Sequence, residues 1–258
     1  MLNKTTIATV AASLALSSLA HGATIERFIA PNEVLVANRA TGEMTVAKLD
    51  GEPVYYCGID AFKAASAPMI GTAFDVARVE RSFIASGWLR PNVLSDEAQA
   101  AVAEGRGGWA CASTKTPFDL MHSSVDASLL ASVALNESAF SGRPWPWTLN
   151  VAGKGFYFAS RQDAYSAIQY LLAAKRCDFD VGLMQVNWCY HSKRFASAWA
   201  ALAPQTNIAV AEDILNENYR KRGSAVKAIA YYHSANPTPG AAYLARFVAH
   251  LHQVNLGL

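Results

Sequence analysis

One glutamate at the end of an apolar stretch is the residue of this sequence best placed for acid–base chemistry. Glu137 follows residues 124–136, in which Val125, Leu129 and Val133 recur at the spacing of one helix face. Apolar neighbours would remove solvent from its carboxyl, and the negative end of the helix dipole would disfavour its charge, so its pKa should rise. A carboxylic acid that keeps its proton near neutral pH suits the general acid of a glycosidase. The alternative for Glu137 alone is an ordinary exposed glutamate at a helix end.

Three short motifs occur in order from Glu137 onward. They are Glu-Ser at 137–138, Gly-Leu-Met-Gln-Val-Asn at 182–187 and Ala-Tyr-Tyr-His-Ser-Ala at 230–235. An aromatic block at 145–158 separates the first two. This set resembles the soluble lytic transglycosylases, a lysozyme-like family with Glu-Ser, Gly-Leu-Met-Gln and Ala-Tyr-Asn-Ala-Gly motifs. The aromatic block is similar to that of the branch that serves conjugation and type IV secretion. The resemblance covers about residues 121–254.

The resemblance implies a role for several residues. Glu137 corresponds to the catalytic glutamate, which protonates the leaving glycosidic oxygen and then takes the proton of the C6 hydroxyl, so that a 1,6-anhydro end forms without water. A further set corresponds to residues that hold the site or line the substrate cleft: Ser138, Met184, Gln185, Asn187 and Tyr232. The sequence departs from the family pattern at 233–235, where His-Ser-Ala replaces Asn-Ala-Gly. The role of His233 therefore stays open between the site and an ordinary packed or surface histidine.

The implied activity is cleavage of the β-1,4 bond between N-acetylmuramic acid and N-acetylglucosamine in peptidoglycan, which is the expected partner. Two alternatives stay open. A hydrolytic muramidase would use a second carboxylate. The candidates for it are Asp163, Asp178 and Asp180, which the pattern favours as a helix-start residue and two turn residues. A catalytically weak peptidoglycan-binding assembly protein is the alternative outside enzymes, and the intact Glu137 argues against it. The resemblance adds components of a conjugation or type IV secretion apparatus as partners.

Composition excludes several other classes of function. A net charge of +2 does not indicate nucleic-acid binding. No zinc-protease, serine-hydrolase or phosphate-loop motif occurs, and the six histidines are dispersed, so we expect neither a metal nor a cofactor. The aromatic block should mix core packing with rings free to stack on sugars. Its large members are Trp145, Trp147, Phe156, Tyr157 and Phe158.

The beginning of the chain is typical of a secretory signal peptide. Lys4 precedes an apolar run at 7–16, and small residues follow at the spacing of a cleavage site. The run is too short for a membrane helix, which needs roughly 20 apolar residues, and no later segment is apolar enough to span. We therefore expect residues 1–22 to be removed and the mature protein to be periplasmic, with no stable membrane span.

Four cysteines remain after such cleavage, which in an exported chain indicates two disulfides. Four cysteines permit three connectivities, and four free thiols or a zinc site are the alternatives. We predict Cys57–Cys111 and Cys177–Cys189, because each pair lies within one half of the chain. The second pair would staple the segment that carries the Gly-Leu-Met-Gln motif.

The expected fold class is mainly α (α+β). Residues 121–258 should form a lysozyme-like helical catalytic domain with a small β hairpin, and residues 23–120 an N-terminal α+β region of unknown role. Hydrophobic alternation predicts strands between 24 and 50 with a turn at 40–43. Helical spacing predicts helices after Pro68, from Ser95 to Glu104, from a Ser124 cap to Glu137, and from Ser160 to about Lys175. Three more helices are expected near 208–222, 224–234 and 240–254, with a loop at 105–108 and a turn at 178–187.

Overall fold

The computed structural model describes residues 22–54, 56–113, 118 and 123–256. The chain divides into two compact units, Met1–Ala112 and Ser113–Leu258. Apart from Gly22, the predicted signal peptide lies outside the described residues, and so does the domain boundary predicted at 120–121. Within the described part, helices predominate and small antiparallel sheets accompany them, which agrees with a mainly α (α+β) fold class.

The first unit begins with a three-stranded antiparallel sheet, as the alternating pattern predicts. Its strands are β1 (Ala23–Ala30), β2 (Glu33–Asn38) and β3 (Met44–Lys48), in that order across the sheet. The β2–β3 turn spans 39–43, where the turn residues were expected. Val34 and Val36 are fully buried while their neighbours are not, so one face of the sheet covers the core.

Three helices follow this sheet in the first unit, and the third of them packs on the second. They are α1 (Ile59–Ser66), α2 (Val76–Ala85) and α3 (Asp96–Glu104). A short antiparallel ladder joins β4 (Glu52–Pro53), which precedes α1, to β5 (Leu89–Arg90), which follows α2. The rings of Phe28, Phe62 and Phe83 meet edge to face in the core. The loop predicted at 105–108 is only partly one, because a 3-10 helix begins at Gly107 and runs to Cys111.

Both predicted disulfides are present, one in each unit. Cys57 is joined to Cys111 and Cys177 to Cys189, and neither pair crosses from one unit to the other. The protein therefore has the covalent framework of a chain that folds in an oxidising compartment.

The second unit begins with α4 (Ala127–Ser138), the helix that ends at Glu137 and Ser138. The predicted cap was wrong by two residues. Asp126, not Ser124, caps the helix, and its carboxylate accepts hydrogen bonds from the Ser128 and Leu129 amides. Ser124 instead binds the carboxylate of Glu212 through its own amide and hydroxyl.

The stretch between α4 and the next helix folds into two hairpins. The first is β6 (Ala139–Phe140) with β7 (Arg143–Pro144), and the second is β8 (Thr148–Val151) with β9 (Lys154–Tyr157). The segment predicted as a turn at 178–187 is a third hairpin, of β10 (Phe179–Val181) and β11 (Val186–Asn187). Strands β11, β10, β8 and β9 form one sheet in that order, so the expected small hairpin is part of a four-stranded sheet.

Six more helices complete the second unit; four follow the predicted order with somewhat different ends, and the two short ones at 188–191 and 198–201 were not predicted. They are α5 (Arg161–Ala173), α6 (Trp188–His191), α7 (Ala198–Ala201), α8 (Pro204–Arg222), α9 (Ala225–His233) and α10 (Pro237–Asn255). Ser160 caps α5, and Gly223 ends α8 with a left-handed φ of 66°. Proline has no amide proton to lose at a helix start, which explains why α10 begins at Pro237 rather than after it.

Helices α4, α9 and α10 form the packed group that positions Glu137, since α10 packs along both of the others. In the described part of the chain, no helix combines the length and the apolar character needed to cross a lipid bilayer.

Candidate active site

Glu137 lies in the last turn of α4, where the preceding turns are almost entirely buried. The residue stays partly accessible as a whole, while protein surrounds its carboxyl. The pKa of Glu137 is raised from 4.5 to about 8, chiefly because burial removes water from the carboxylate. The charge of Asp180 raises the pKa further, while the Tyr243 hydroxyl and the Arg246 charge oppose the shift. Glu137 therefore holds its proton at neutral pH.

Ser138 connects the end of α4 to the Gly-Leu-Met-Gln turn. Its hydroxyl lies 2.7 Å from the Leu183 carbonyl and 3.1 Å from the Ala134 carbonyl, and the shorter contact is the stronger hydrogen bond. The residue is fully buried. Ser138 therefore has one of the roles that the resemblance implies for it: its side chain holds two segments of the site together.

The Gly-Leu-Met-Gln segment forms the tight turn between β10 and β11, and Asn207 of α8 holds it. The Asn207 amide nitrogen donates to the carbonyls of Val181 and Ala201, at 3.0 and 2.9 Å, and its oxygen accepts from the Met184 amide at 2.7 Å. Gly182 has a φ of +80°, and a Cβ added there would lie 2.5 Å from the Asn207 amide nitrogen. Only glycine suits this position, for both reasons.

The two large side chains of this turn do not line an open surface. Met184 is 0% exposed and belongs to the core, which corrects the substrate contact expected of its side chain. Gln185 is also buried and donates to the carbonyls of Gly182 and Thr148, at 2.7 and 3.1 Å. Its φ of 48° is unusual for a residue other than glycine, and its side-chain oxygen has no hydrogen-bond partner among the described residues. Gln185 thus holds a strained turn together.

Tyr232 brings the third motif to the other two. Its hydroxyl donates a hydrogen bond of 2.8 Å to the Met184 carbonyl. The pKa of Tyr232 is raised well above its ordinary value by burial, and then by the charges of Glu137 and Asp180, which places all three groups in one neighbourhood. Motifs that are nearly a hundred residues apart in sequence therefore converge on one carboxyl.

Asp180 is the clearest correction to the expected site. It is not a turn residue: it lies in β10 opposite Asn187, whose amide donates to its carboxylate at 2.8 Å. Burial raises the pKa of Asp180, and the hydrogen bond from Asn187 opposes that shift. The Asn187 oxygen also caps α6 by accepting from the Tyr190 amide, so Asn187 orients Asp180 and the chain around it.

The other two carboxylates have structural roles. Asp163 lies in the first turn of α5 and accepts a hydrogen bond of 2.7 Å from Ser160, as predicted for a helix start. Asp178 is exposed beside Asp180's strand and forms a two-pronged pair with Arg176, which lowers the pKa of the Asp178 carboxyl.

The aromatic block divides between core and surface, as expected. Trp145 and Trp147 are buried, and the Trp145 indole donates 2.8 Å to the Phe158 carbonyl. Phe156 and Tyr157 on β9 are exposed. The Tyr157 ring stacks on Phe140, which is also exposed and lies three residues after Glu137, with centroids 4.9 Å apart. This pair is an accessible aromatic surface next to the end of α4.

Three residues beside Glu137 were missed by the sequence prediction: Asn136, Tyr243 and Arg246. The Asn136 amide donates 3.0 Å to the Tyr243 backbone carbonyl, and Arg246 donates 3.3 Å to the Asn136 side-chain oxygen. Tyr243 is 1% exposed. Its hydroxyl interacts with the Glu137 carboxyl and the Asn136 side chain, yet it makes no hydrogen bond of normal geometry with any residue that the structure describes. Spacing on α10 marks Tyr243 only as an inward residue, so no local signal separated it from core.

Among the described residues, no three His, Cys, Asp or Glu side chains are grouped so that they could hold a metal ion. Comparison of the chain with protein-family models, with curated proteins and with solved structures finds no match. The function is therefore inferred from the arrangement of residues around Glu137.

Proposed function

We propose that this protein is a peptidoglycan lytic transglycosylase with a lysozyme-like catalytic unit and Glu137 as its acid and base. One observation carries the proposal: a carboxyl with a pKa of about 8 stands where the three sequence motifs meet. A group that is protonated at neutral pH can give its proton to a leaving glycosidic oxygen. The same group, once ionised, can accept a proton in the following step.

The reaction balances with one carboxyl and without water. In the first step the C1–O4 bond breaks and the leaving oxygen takes the proton of Glu137, while the N-acetyl group of the substrate stabilises C1. In the second step the C6 oxygen of the same muramic acid bonds to C1 and its proton returns to Glu137. The products are a free 4-hydroxyl and a 1,6-anhydro end, and the enzyme is restored.

The surroundings of Glu137 support both steps. Burial holds the proton on the carboxyl before the reaction, while Arg246 and Tyr243 favour the carboxylate that forms after it. The exposed Phe140–Tyr157 pair provides apolar faces of the kind on which sugar rings pack. Two disulfides and the predicted signal peptide agree with a location in the periplasm, where peptidoglycan lies. The aromatic block favours a function together with a conjugation or type IV secretion apparatus.

A hydrolytic muramidase is the second candidate, and the position of Asp180 favours it. Asp180 lies near enough to Glu137 to raise its pKa, so the site contains two carboxyl groups. A hydrolase would need Asp180 ionised, as nucleophile or as base toward water. The raised pKa of Asp180 and its hydrogen bond with Asn187 argue for an orienting role instead.

A zymogram of peptidoglycan with wild type, Glu137→Gln and Asp163→Asn tests whether the protein cleaves the wall at all. We expect clearing by wild type and by Asp163→Asn, and a loss of at least 10²–10⁴-fold for Glu137→Gln, since general acid and base catalysis are removed together. Thermal melts must first show that each variant is folded. Equal clearing by a folded Glu137→Gln variant would refute the proposal, and absence of clearing by wild type would favour the binding protein.

A further inference from the structure

The buried hydroxyl of Tyr243 is a polar group that the fold leaves without a conventional partner. A buried hydroxyl without a hydrogen bond costs stability, so such groups are rare in folded proteins and usually have a purpose. Tyr243 lies on α10, and its hydroxyl interacts with two side chains of α4, the Glu137 carboxyl and the Asn136 amide. While that carboxyl is protonated, it can accept from the tyrosine only through its carbonyl oxygen. When it is ionised, both of its oxygens accept, and a hydrogen bond to the charged group is stronger.

The ring of Tyr243 is held on one face by His233. The two rings lie almost parallel, 8° apart, with centroids separated by 4.7 Å. His233 is at the end of α9 and its other side faces solvent. This is the position at which the sequence departs from Tyr-Asn-Ala-Gly, and a flat ring there covers Tyr243 in a way that asparagine cannot.

The backbone of Tyr243 is fixed from the opposite direction. Asn136, the neighbour of Glu137, donates to the Tyr243 carbonyl at 3.0 Å and accepts from Arg246 at 3.3 Å. The helix that carries the acid is therefore bonded to the residue whose hydroxyl faces that acid. Side chain and backbone of Tyr243 are both constrained, which leaves its hydroxyl little freedom to turn away from Glu137.

We propose that Tyr243 and His233 form a stacked positioning pair for Glu137, in which His233 holds the tyrosine ring and the tyrosine hydroxyl bonds to the carboxylate between the two chemical steps. The bond strengthens as Glu137 loses its proton to the leaving oxygen and weakens as the proton of the C6 hydroxyl arrives. Tyr243 keeps its own proton throughout. The role in catalysis rests on the proposed function, whereas the positioning itself does not.

Several other charged and titratable groups lie near Glu137, and two of them also influence its pKa. Asp180 on β10 raises the pKa of Glu137, and Arg246 on α10 lowers it. The charge of Glu137 raises the pKa of Tyr232 on α9. Arg143 is the charged residue of the hairpin that follows α4. Burial, and then Arg246, lower the pKa of His233, so its ring is neutral when Glu137 titrates. His233 therefore acts through its ring and not through its charge.

The test measures the Glu137 pKa directly, by carbon-13 NMR of the intact protein labelled at glutamate carboxyls, with Glu137→Gln to assign the resonance. Tyr243→Phe should raise the Glu137 pKa by about one pH unit, because a hydrogen bond to a charged group is lost. His233→Ala should shift it in the same direction, and His233→Phe, which keeps a flat ring, should restore the wild-type value. Tyr170→Phe and His252→Ala, both exposed, are the matched controls and should not shift it.

A second readout separates positioning from ordinary packing. Tyr243→Phe removes an unpartnered hydroxyl, so at pH 5 it should melt at or above the wild-type temperature while kcat for muropeptide release falls about tenfold with little change in KM. An unchanged Glu137 pKa in Tyr243→Phe would overturn the pair, and failure of His233→Phe to restore it would overturn the part of His233. Should wild type prove inactive on peptidoglycan, the proposed function fails, and the NMR titration still decides whether the pair exists.

Discussion

At the scale of single residues, the protein carries a carboxyl that is ionised with difficulty in the folded state and easily in the unfolded one. The pKa of Glu137 is raised from 4.5 to about 8 by burial. Below pH 4.5 the carboxyl is protonated in both states and contributes no difference. Between pH 4.5 and 8 the unfolded chain has lost the proton that the folded protein retains, so the free energy of unfolding falls as pH rises. The Glu137 carboxyl thus lowers the free energy of unfolding at neutral pH.

This cost predicts a pH-dependent stabilisation by Glu137→Gln, since glutamine does not titrate. Below about pH 4.5 the free energy of unfolding of the variant should follow that of wild type. Between pH 4.5 and 8 it should rise above that of wild type by on the order of 2–3 kcal/mol, after allowance for the partial exposure of the group. Urea unfolding across pH 4–9 measures it. Glu217→Gln is the control with the opposite pH dependence. The hydrogen bond with Arg194 lowers the pKa of Glu217, so the ionised carboxylate stabilises the fold. That stabilisation is fully present above the ordinary glutamate pKa of 4.5 and is lost as the pH falls below it. A flat difference between wild type and Glu137→Gln would show that the carboxyl is not buried as described.

At the scale of elements, the site depends on a strained turn held by one asparagine from a distant helix. Asn207 bonds to Val181, Met184 and Ala201, and Met184 in turn accepts from Tyr232. Removal of Asn207 leaves several buried backbone groups unpaired at once. The turn would then loosen at the point where it meets both the acid and the tyrosine.

Asn207→Ala should therefore cost roughly 2–4 kcal/mol of unfolding free energy, in line with the loss of buried hydrogen bonds. Hydrogen exchange should become faster at 181–187, and lytic activity should fall more than the lost stability explains. Gln205→Ala, an exposed side chain in the first turn of the same helix, should change stability by less than about 0.5 kcal/mol. Unaltered exchange at 181–187 in Asn207→Ala would contradict the role given to this residue.

Elements with local signals were predictable from the sequence, whereas contacts between distant elements were not. Ser160 with Asp163 marked the start of α5, and Gly223 marked the end of α8, because helix caps depend on residues that are neighbours in the sequence. The cap of α4 was misassigned because Ser124 and Asp126 are both good caps, and the choice depends on Glu212, far along the chain. Asp180 was misread for a similar reason: a short strand paired by two residues has no periodicity to detect.

At the scale of the whole molecule, every described group that acts on Glu137 belongs to the second unit. The first unit has its own buried core and its own disulfide, Cys57–Cys111, with a sequence separation of 54. In the chain-entropy model a loop of that length contributes about 4 kcal/mol, against about 3 for the shorter Cys177–Cys189 loop. The two disulfides therefore stabilise different parts of the protein.

Replacement of Cys57 and Cys111 by serine should destabilise the first unit by about 4 kcal/mol and leave bond cleavage within about twofold of wild type. Segment-resolved hydrogen exchange measures the first effect, and release of soluble muropeptides the second. The matched variant, Cys177 and Cys189 to serine, should reduce activity because it frees the segment before α6 that carries Asp180. Loss of activity in the first variant, with residues 123–256 still protected, would show that the first unit takes part in the reaction.

Cleavage of peptidoglycan by Glu137 without water is tested by mass spectrometry of muropeptides released from purified sacculi in water labelled with oxygen-18. Wild type should release products with 1,6-anhydro ends, one water lighter than reducing ends and free of label. Asp180→Asn should give the same products, and folded Glu137→Gln should give almost none. Labelled reducing ends from wild type, abolished by Asp180→Asn, would instead identify a two-carboxylate hydrolase and contradict the account.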